Sequence, residues 1–291
     1  MALFFQQTLT GVSVGLVYAT VAMGLMLLLR AAGVMNFAQG NLLAMGAYLS
    51  FLFMEKLQLS SGLLMVILAL AVFVAVGCVF CSVCFLPFKH AKWPQAMMIC
   101  TIGAGTVIQE CCLLFITAET RSVRPILAGS LSVGGFVIPY QYFFIFGAML
   151  FMMTGLFFLF EKMYCGRVMS AAAQNKYAAD LLGIPTNLTT MVTFCIVVCM
   201  VGFSGWLLAP VYRVSASLSN FQARAFASVV IGGFGSLKGA IIGGILVGLI
   251  EAYSTYFTTT YKDVVVFGCL LLVLAFCPQG IIPSGTKKEK A

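Results

Sequence analysis

The chain has 291 residues, of which 62% are hydrophobic and only 8% charged, with a formal net charge of +8. A water-soluble fold of this length needs a charged surface that so few residues cannot supply, and the mean hydropathy of +1.08 excludes one. The cationic excess is no nucleic-acid footprint, because no aromatic-interleaved basic patch accompanies it, and loops facing anionic lipid account for it.

The opening stretch "MALFFQQTLTGVSVGLVYATVAMGLMLLL" holds no Lys or Arg before Arg30, whereas a signal peptide begins with a basic segment. It reads as a retained helix with its N-terminus outside. Apolar runs recur from there, among them "LLMVILALAVFVAVGCVFCSVCFL" (63–86) and "VVVFGCLLLVLAFC" (264–277). A bilayer core of about 30 Å takes roughly 20 apolar residues per helix, and no run alternates as a barrel strand would. Spans are expected near 8–29, 37–55, 62–86, 96–117, 140–160, 189–210, 225–237, 240–257 and 262–282. The fold class is therefore all-α, a polytopic helical bundle forming one membrane domain over residues 1–291, with a cytoplasmic loop at 162–188 and a basic tail at 284–291.

The eleven cysteines are odd in number and lie mostly inside apolar runs, as at Cys78, Cys81, Cys84, Cys111 and Cys112, where thiols behave as small hydrophobes. No zinc site is expected without nearby histidine, and the single histidine, His90, falls in the basic loop "FKHAKWP".

The segment 225–237, "AFASVVIGGFGSL", is short for a span, and its glycines suggest a half helix lining a cavity. Counting it as a crossing puts Arg30, Lys89, Lys92, Lys162, Arg167, Lys176, Lys238, Lys287, Lys288 and Lys290 inside. Lys56, Arg121, Arg124, Arg213, Arg224 and Lys262 then lie outside, and ten against six favours an outer N-terminus and a cytoplasmic C-terminus.

That orientation makes "AAAQNKYAADLLGIPTN" (171–187) cytoplasmic. Asn175 is a favourable helix N-cap, Lys176 to Leu182 is good helix sequence, Gly183 suits a left-handed C-terminal residue, and Pro185 stops continuation. Ala178, Ala179, Leu181 and Leu182 give a compact apolar face, rimmed by Lys176, Tyr177 and Asp180. Two readings are open on these residues alone: a helix that docks in another protein's groove, or a connector packed under the bundle.

The stretch "GRVMSAAAQNKYAADLLGIPTN", followed by "TFCIVVCMVGFSGWLLAP", resembles the coupling-loop region of the inner-membrane permeases of branched-chain amino acid ABC transporters, the LivH/LivM class. "GVMNFAQGNLLAMGAYLSF" (33–51) and "VVIGGFGSLKGAIIGGILVGLIEA" (229–252) are similar to two further segments of that family, and "YKDVVVFGCLLLVLAFCPQGI" (261–281) resembles the last helix of the LivH-type subunit. The resemblance implies a bacterial inner-membrane permease subunit of an amino-acid importer, not an enzyme. It implies that Arg167, Asn175, Ala178, Ala179, Leu182 and Gly183 couple transport to a separate ATP-binding subunit. It also implies a second homologous permease and an extracytoplasmic solute-binding protein as partners, with no cofactor on this chain and ATP and Mg used by the partner.

"GGFGSLKG" (232–239) is not a phosphate loop, since Lys238 is preceded by Leu237 and followed by Gly239; its glycines suit tight turning. Gly239 with Gly243, and Gly244 with Gly248, have the four-residue spacing of close helix packing. Asn36, Gln39 and Asn41 in "VMNFAQGN" either cap the next helix or line a solute pathway with Phe37, Gly40 and the turn glycines Gly232, Gly233 and Gly235. Glu110 and Glu251 lie within spans, where a carboxylate is a functional candidate. The alternatives are an interfacial position or a polar partner such as Gln109 or Tyr253. Glu251 fits the resembled pattern and Glu110 departs from it. The competing function is an ion-coupled carrier or channel using these two carboxylates; an intramembrane enzyme lacks a nucleophile, base or metal cluster in the sequence.

Overall fold

The computed structural model describes residues 2–33, 35–59, 61–88, 94–127, 129–133, 136–174, 176–257 and 261–282. His90, Lys89, Lys92, Asn175 and the tail at 284–291 lie outside the described residues.

The apolar runs fold as helices because backbone polar groups without water must bond within their own segment. In chain order they are α1 (Ala2–Ala32), α2 (Gln39–Phe51) continued by a π-helical turn (Leu52–Lys56), α3 (Gly62–Phe80) continued likewise (Cys81–Phe85), and α4 (Pro94–Phe115). A hairpin of β1 (Ser130–Val133) and β2 (Phe136–Pro139) precedes α5 (Tyr140–Glu161), α6 (Tyr164–Gln174), α7 (Lys176–Leu181) and α8 (Thr186–Tyr212). A 3-10 turn (Ala216–Asn220) then leads into α9 (Phe221–Gly232), α10 (Leu237–Phe257) and α11 (Lys262–Phe276).

Six helices, α1, α3 with its π turn, α4, α5, α8 and α10, are long and apolar enough to cross a bilayer. The other three expected spans are also helical but fall short of the six: α2 with its π turn covers residues 39–56, while α9 and α11 have 12 and 15 residues, about 20 Å each and less than the ~30 Å hydrocarbon core. The segment expected at 225–237 is displaced. α9 starts at Phe221 and ends at Gly232, so Arg224, expected in an outer loop, is instead part of a helix and buried in the bundle. The hairpin, with Leu131 opposite Ile138, is the one sheet among the described residues of an otherwise all-α fold.

α1 is the central post, with 89% of its span buried. Glycines let neighbouring backbones approach it closely. An added Cβ at Gly15 would sit 2.9 Å from Ile245 Cα, and one at Gly248 would strike Gly15. The two glycine pairs of α10 serve different neighbours: Gly244 and Gly248 meet α1, while Gly239 and Gly243 meet Gly232 and Ser228 of α9. A second close crossing joins α2 to α8, where Cβ atoms at Gly46 and Gly205 would collide with the Gly202 and Leu43 carbonyls. α3, α4 and α5 form the periphery, with 28%, 17% and 28% of their spans buried.

The bundle has two distinct ends. Arg30 bonds the Gly235 carbonyl (Nη2, 2.6 Å) and pairs with Glu161 (3.3 Å) at the end that carries α6 and α7. At the hairpin end, Arg124 pairs with Glu55 (3.2 Å), and Arg121 and Val214 exchange backbone hydrogen bonds of 3.1 and 2.8 Å.

Candidate functional site

A charged cluster lies where α1, α9, α10 and α11 meet. Arg224 Nη1 is 3.1 Å from Glu251 Oε1, and its Nη2 is 2.7 Å from Asp263 Oδ1. The Tyr18 hydroxyl donates to Glu251 Oε2 and accepts from Arg224 Nη1 at 3.1 Å. Lys262 Nζ completes the group, 3.3 Å from Glu251 Oε1. Two cations and two carboxylates cancel, which is what makes Arg224 and Glu251 tolerable when each is less than a tenth exposed. The arginine also lies over the Phe221 ring (5.8 Å), which packs against Tyr18 and Tyr212 at 5.0 and 5.3 Å. Above the cluster, a cavity of about 370 Å³ is lined by Gln6, Thr10, Tyr142, Tyr212, Glu251 and Lys262 among others. Glu251 therefore does have a polar partner, but it is not Tyr253, which instead stacks on Phe4 and bonds Thr8.

Beside this cluster the chain doubles back. α1 runs on to Ala32, yet Gln39 at the start of α2 lies against Gly24, eight residues earlier in α1, so α2 begins about 12 Å inside the bundle. Asn36 Oδ1 accepts from Ala38 N at 2.9 Å, which orders the turn into α2 without capping the helix, and its Nδ2 has no partner among the described residues. Gln39 is fully buried and both its amide atoms lack a partner among the described residues, as do Gln222 Nε2 and the Tyr48 hydroxyl. Gly40 N bonds Gln222 Oε1 at 2.8 Å, and a Cβ at Gly40 would strike the Ser219 carbonyl; Asn41 abuts Gly105 of α4. Buried polar groups are nearly always satisfied, so these amides offer bonding capacity that water or a solute can take up. Phe37, Phe226 and Phe234 extend from it as a row of rings 6.2 and 6.0 Å apart.

Gly232, Gly233 and Gly235 occupy the turn between α9 and α10. Gly233 (φ 111°) and Gly235 (φ 84°) take backbone conformations that favour glycine, and Gly232 lets the α10 backbone touch. Residues after α11 return to this turn, Ile281 N bonding Ile231 O at 2.9 Å.

The loop expected to hold one helix holds two, α6 and α7. Gly183 has φ 79°, as its place before Ile184-Pro185 predicts, and Ile184 N bonds back to Ala179 O at 3.0 Å. The expected apolar face divides: Ala179 is buried and Ala178 half-buried, whereas Leu181 and Leu182 are 72% and 80% exposed. Asp180 accepts from Thr186 Oγ1 at 2.8 Å, fixing α7 to the start of α8, and Arg167 is exposed on α6. Glu110 projects from the exposed side of α4.

Sequence reasoning missed Arg224, Tyr18, Lys262, Asp263 and Gln222. The available signal was "FQARAFASVVIG", in which a helix begun at Phe221 takes Arg224 and Ser228 into the bundle.

Apolar helices arranged in this way define a polytopic α-helical membrane protein whose interior is completed by short, discontinuous helices. The chain belongs to the family described as branched-chain amino acid transport system / permease component, matching it over residues 7–274. It is 33% identical over 301 residues to the high-affinity branched-chain amino acid transport system permease protein LivH of Escherichia coli K12, covering 96% of this chain and 95% of that one. It is 31% identical over 293 residues to the corresponding protein BraD of Pseudomonas aeruginosa, again covering 96% and 95%. Among solved structures, PsaBC from Streptococcus pneumoniae in complex with Fab shares the fold at a TM-score of 0.52 and 14% identity, over 96% of this chain and 93% of that chain.

Proposed function

We propose that this chain is the translocating membrane subunit of an ATP-driven importer of branched-chain amino acids. The observation that carries this reading is the end-to-end likeness to LivH, which covers 95% of that relative. The solute, delivered by a binding protein at the hairpin end, passes beside the interrupted start of α2, with Asn36, Phe37, Gln39, Gly40 and Asn41 as lining residues and the Gly232–Gly235 turn as its inner border. Uncharged amides suit a zwitterion, because they offer donors and acceptors without trapping either charge.

α6 and α7 are the coupling element. Leu181 and Leu182, which no described residue covers, enter a groove of the ATP-binding subunit, while Arg167 and the Ala178–Gly183 segment set the angle. ATP and Mg are used by that subunit, and this chain holds neither. The α6 end faces the cytoplasm. Removing Arg224 from the loops changes the basic count from ten against six to ten against five, which strengthens that orientation. A second, homologous permease completes the path.

Reconstitution of the complex in vesicles tests the reading. Leucine uptake should require both internal ATP and external binding protein. Uptake that proceeds without ATP would overturn it.

A further inference from the structure

The cavity of about 370 Å³ beside the charged cluster has the size of a small-molecule site, for which roughly 300–1,000 Å³ is usual. It belongs to the hairpin end, since Tyr142 lines it from the first turn of α5, which follows β2 directly. On α1 it is lined by Gln6, Thr10 and Val14. Gln6 lies about five turns before Gly24, so the cavity and the buried Gln39 fall on one face of that helix. α9 begins between them. Phe221, its first residue, packs on Tyr212 of the cavity wall and on Tyr18 of the cluster, and the next residue, Gln222, accepts from Gly40 N of α2 at 2.8 Å.

The cavity wall offers hydrogen-bonding groups that the chain leaves available. Lys262 Nζ carries three donors and meets one acceptor, Glu251 Oε1, at 3.3 Å. The Tyr142 and Tyr212 hydroxyls have no hydrogen bond among the described residues. Glu251 is not available in this way, because both its oxygens are engaged within the cluster. Val14 and Ala252 add an apolar surface. The cluster behind the wall is neutral, with Arg224 and Lys262 against Glu251 and Asp263. A guest with a net charge would unbalance it, whereas a guest carrying one charge of each sign would not.

We propose that this cavity is an outer holding site for the transported amino acid, which places its carboxylate on Lys262 Nζ, its ammonium on the Tyr142 and Tyr212 hydroxyls and its side chain against Val14 and Ala252. The inference rests on the importer reading above and adds where the solute waits before it reaches the start of α2. Phe221 and Tyr212 form the floor of the site. Because Phe221 and Gln222 are consecutive, a shift of α9 that opens this floor also moves the residue that holds Gly40.

A diazirine analogue of leucine, photolysed on the assembled complex without binding protein, tests the site directly. Label should appear in peptides covering residues 6–14 or 248–262, and excess leucine should suppress it at least tenfold better than lysine or glutamate does. Lys262→Met should lower this labelling about tenfold, as loss of a charge-assisted hydrogen bond implies, and Lys262→Arg should retain most of it. Thr10→Phe fills the cavity and gives up no bond between helices, since the Thr10 hydroxyl bonds only Gln6 O and Gln7 O of its own helix; it too should abolish the labelling. Lys56→Met, at the same end but outside the cavity, should leave it unchanged. Label that leucine does not suppress, or that persists in Thr10→Phe, overturns the site. So does a co-purifying phospholipid that mass spectrometry finds in the parent and not in Thr10→Phe, with no leucine-suppressed label in these peptides, because the cavity then holds a lipid headgroup. Leucine-suppressed label in a complex whose uptake ignores ATP overturns the importer reading and leaves the site standing.

Discussion

Arg224 of α9 and Glu251 of α10 form an ion pair with 3.1 Å between Nη1 and Oε1, both side chains less than a tenth exposed. α9 is too short to span the bilayer, so what holds its Phe221 end matters more than for a full-length helix. This pair, with Asp263 and Tyr18, is that hold. Removing one member of a buried pair strands its partner, at about 3–5 kcal/mol, whereas removing both restores neutrality. Arg224→Met should therefore lower the melting temperature of the purified protein sharply. The Arg224→Met/Glu251→Gln double variant should be more stable than the sum of the single changes predicts. Strict additivity in that thermal cycle would show that the two charges are not coupled.

Gly46 and Gly205 make the closest crossing of α2 with α8, each facing the other helix's backbone carbonyl. Because backbone cannot yield as a flexible side chain does, Gly205→Ala should destabilise by about 1–3 kcal/mol. Gly147→Ala on α5, where a Cβ meets nothing within 4 Å, serves as the control and should be neutral or slightly stabilising. Equal melting temperatures for the two variants would contradict the close crossing.

The sequence exposes some of this architecture and hides the rest for identifiable reasons. Apolar runs and the Gly183-Ile184-Pro185 stop are local signals, and local chemistry decides both the helices and the positive φ at Gly183. Gly239, Gly243, Gly244 and Gly248 announce that α10 is closely packed, but spacing cannot tell that one pair meets α9 and the other α1. Gln39 is legible as a polar residue near a helix start. Its burial is not, because that depends on the chain doubling back beside Gly24. Arg224 was hidden by the usual weight of evidence: an arginine near the end of an apolar run is ordinarily a loop residue. Only the distant Glu251, Lys262 and Asp263, brought together by α10 and α11, make it a core residue.

Leu181 and Leu182 provide a test that separates coupling from folding. Both are exposed and make little contribution to packing within the chain, so Leu181→Ser/Leu182→Ser should leave the melting temperature within about 1 °C, as surface substitutions do. The same variant should lose most of the ATPase stimulation produced by loaded binding protein, because the apolar insertion into the ATP-binding subunit is gone. Undiminished stimulation would reduce α7 to a connector.

Glu251 also decides between ATP coupling and ion coupling. An ion-coupled carrier needs a carboxylate that releases and rebinds its ion in every cycle. Glu251 is instead held on both oxygens, by Arg224 and Lys262 on Oε1 and by Tyr18 on Oε2. A carboxylate so engaged is a fixed counter-charge, and its removal should cost stability, not the driving force. Glu251→Gln keeps the shape and can still accept from Tyr18 or Arg224, but leaves one uncompensated positive charge in the cluster. The expected result is a lower melting temperature with uptake reduced in proportion to the protein that survives. In vesicles, both the parent and Glu251→Gln should remain dependent on internal ATP and indifferent to an imposed proton or sodium gradient. Should a gradient alone drive uptake by the parent, and the Gln variant abolish that uptake, the carboxylate carries the coupling ion and the ATP-driven reading falls.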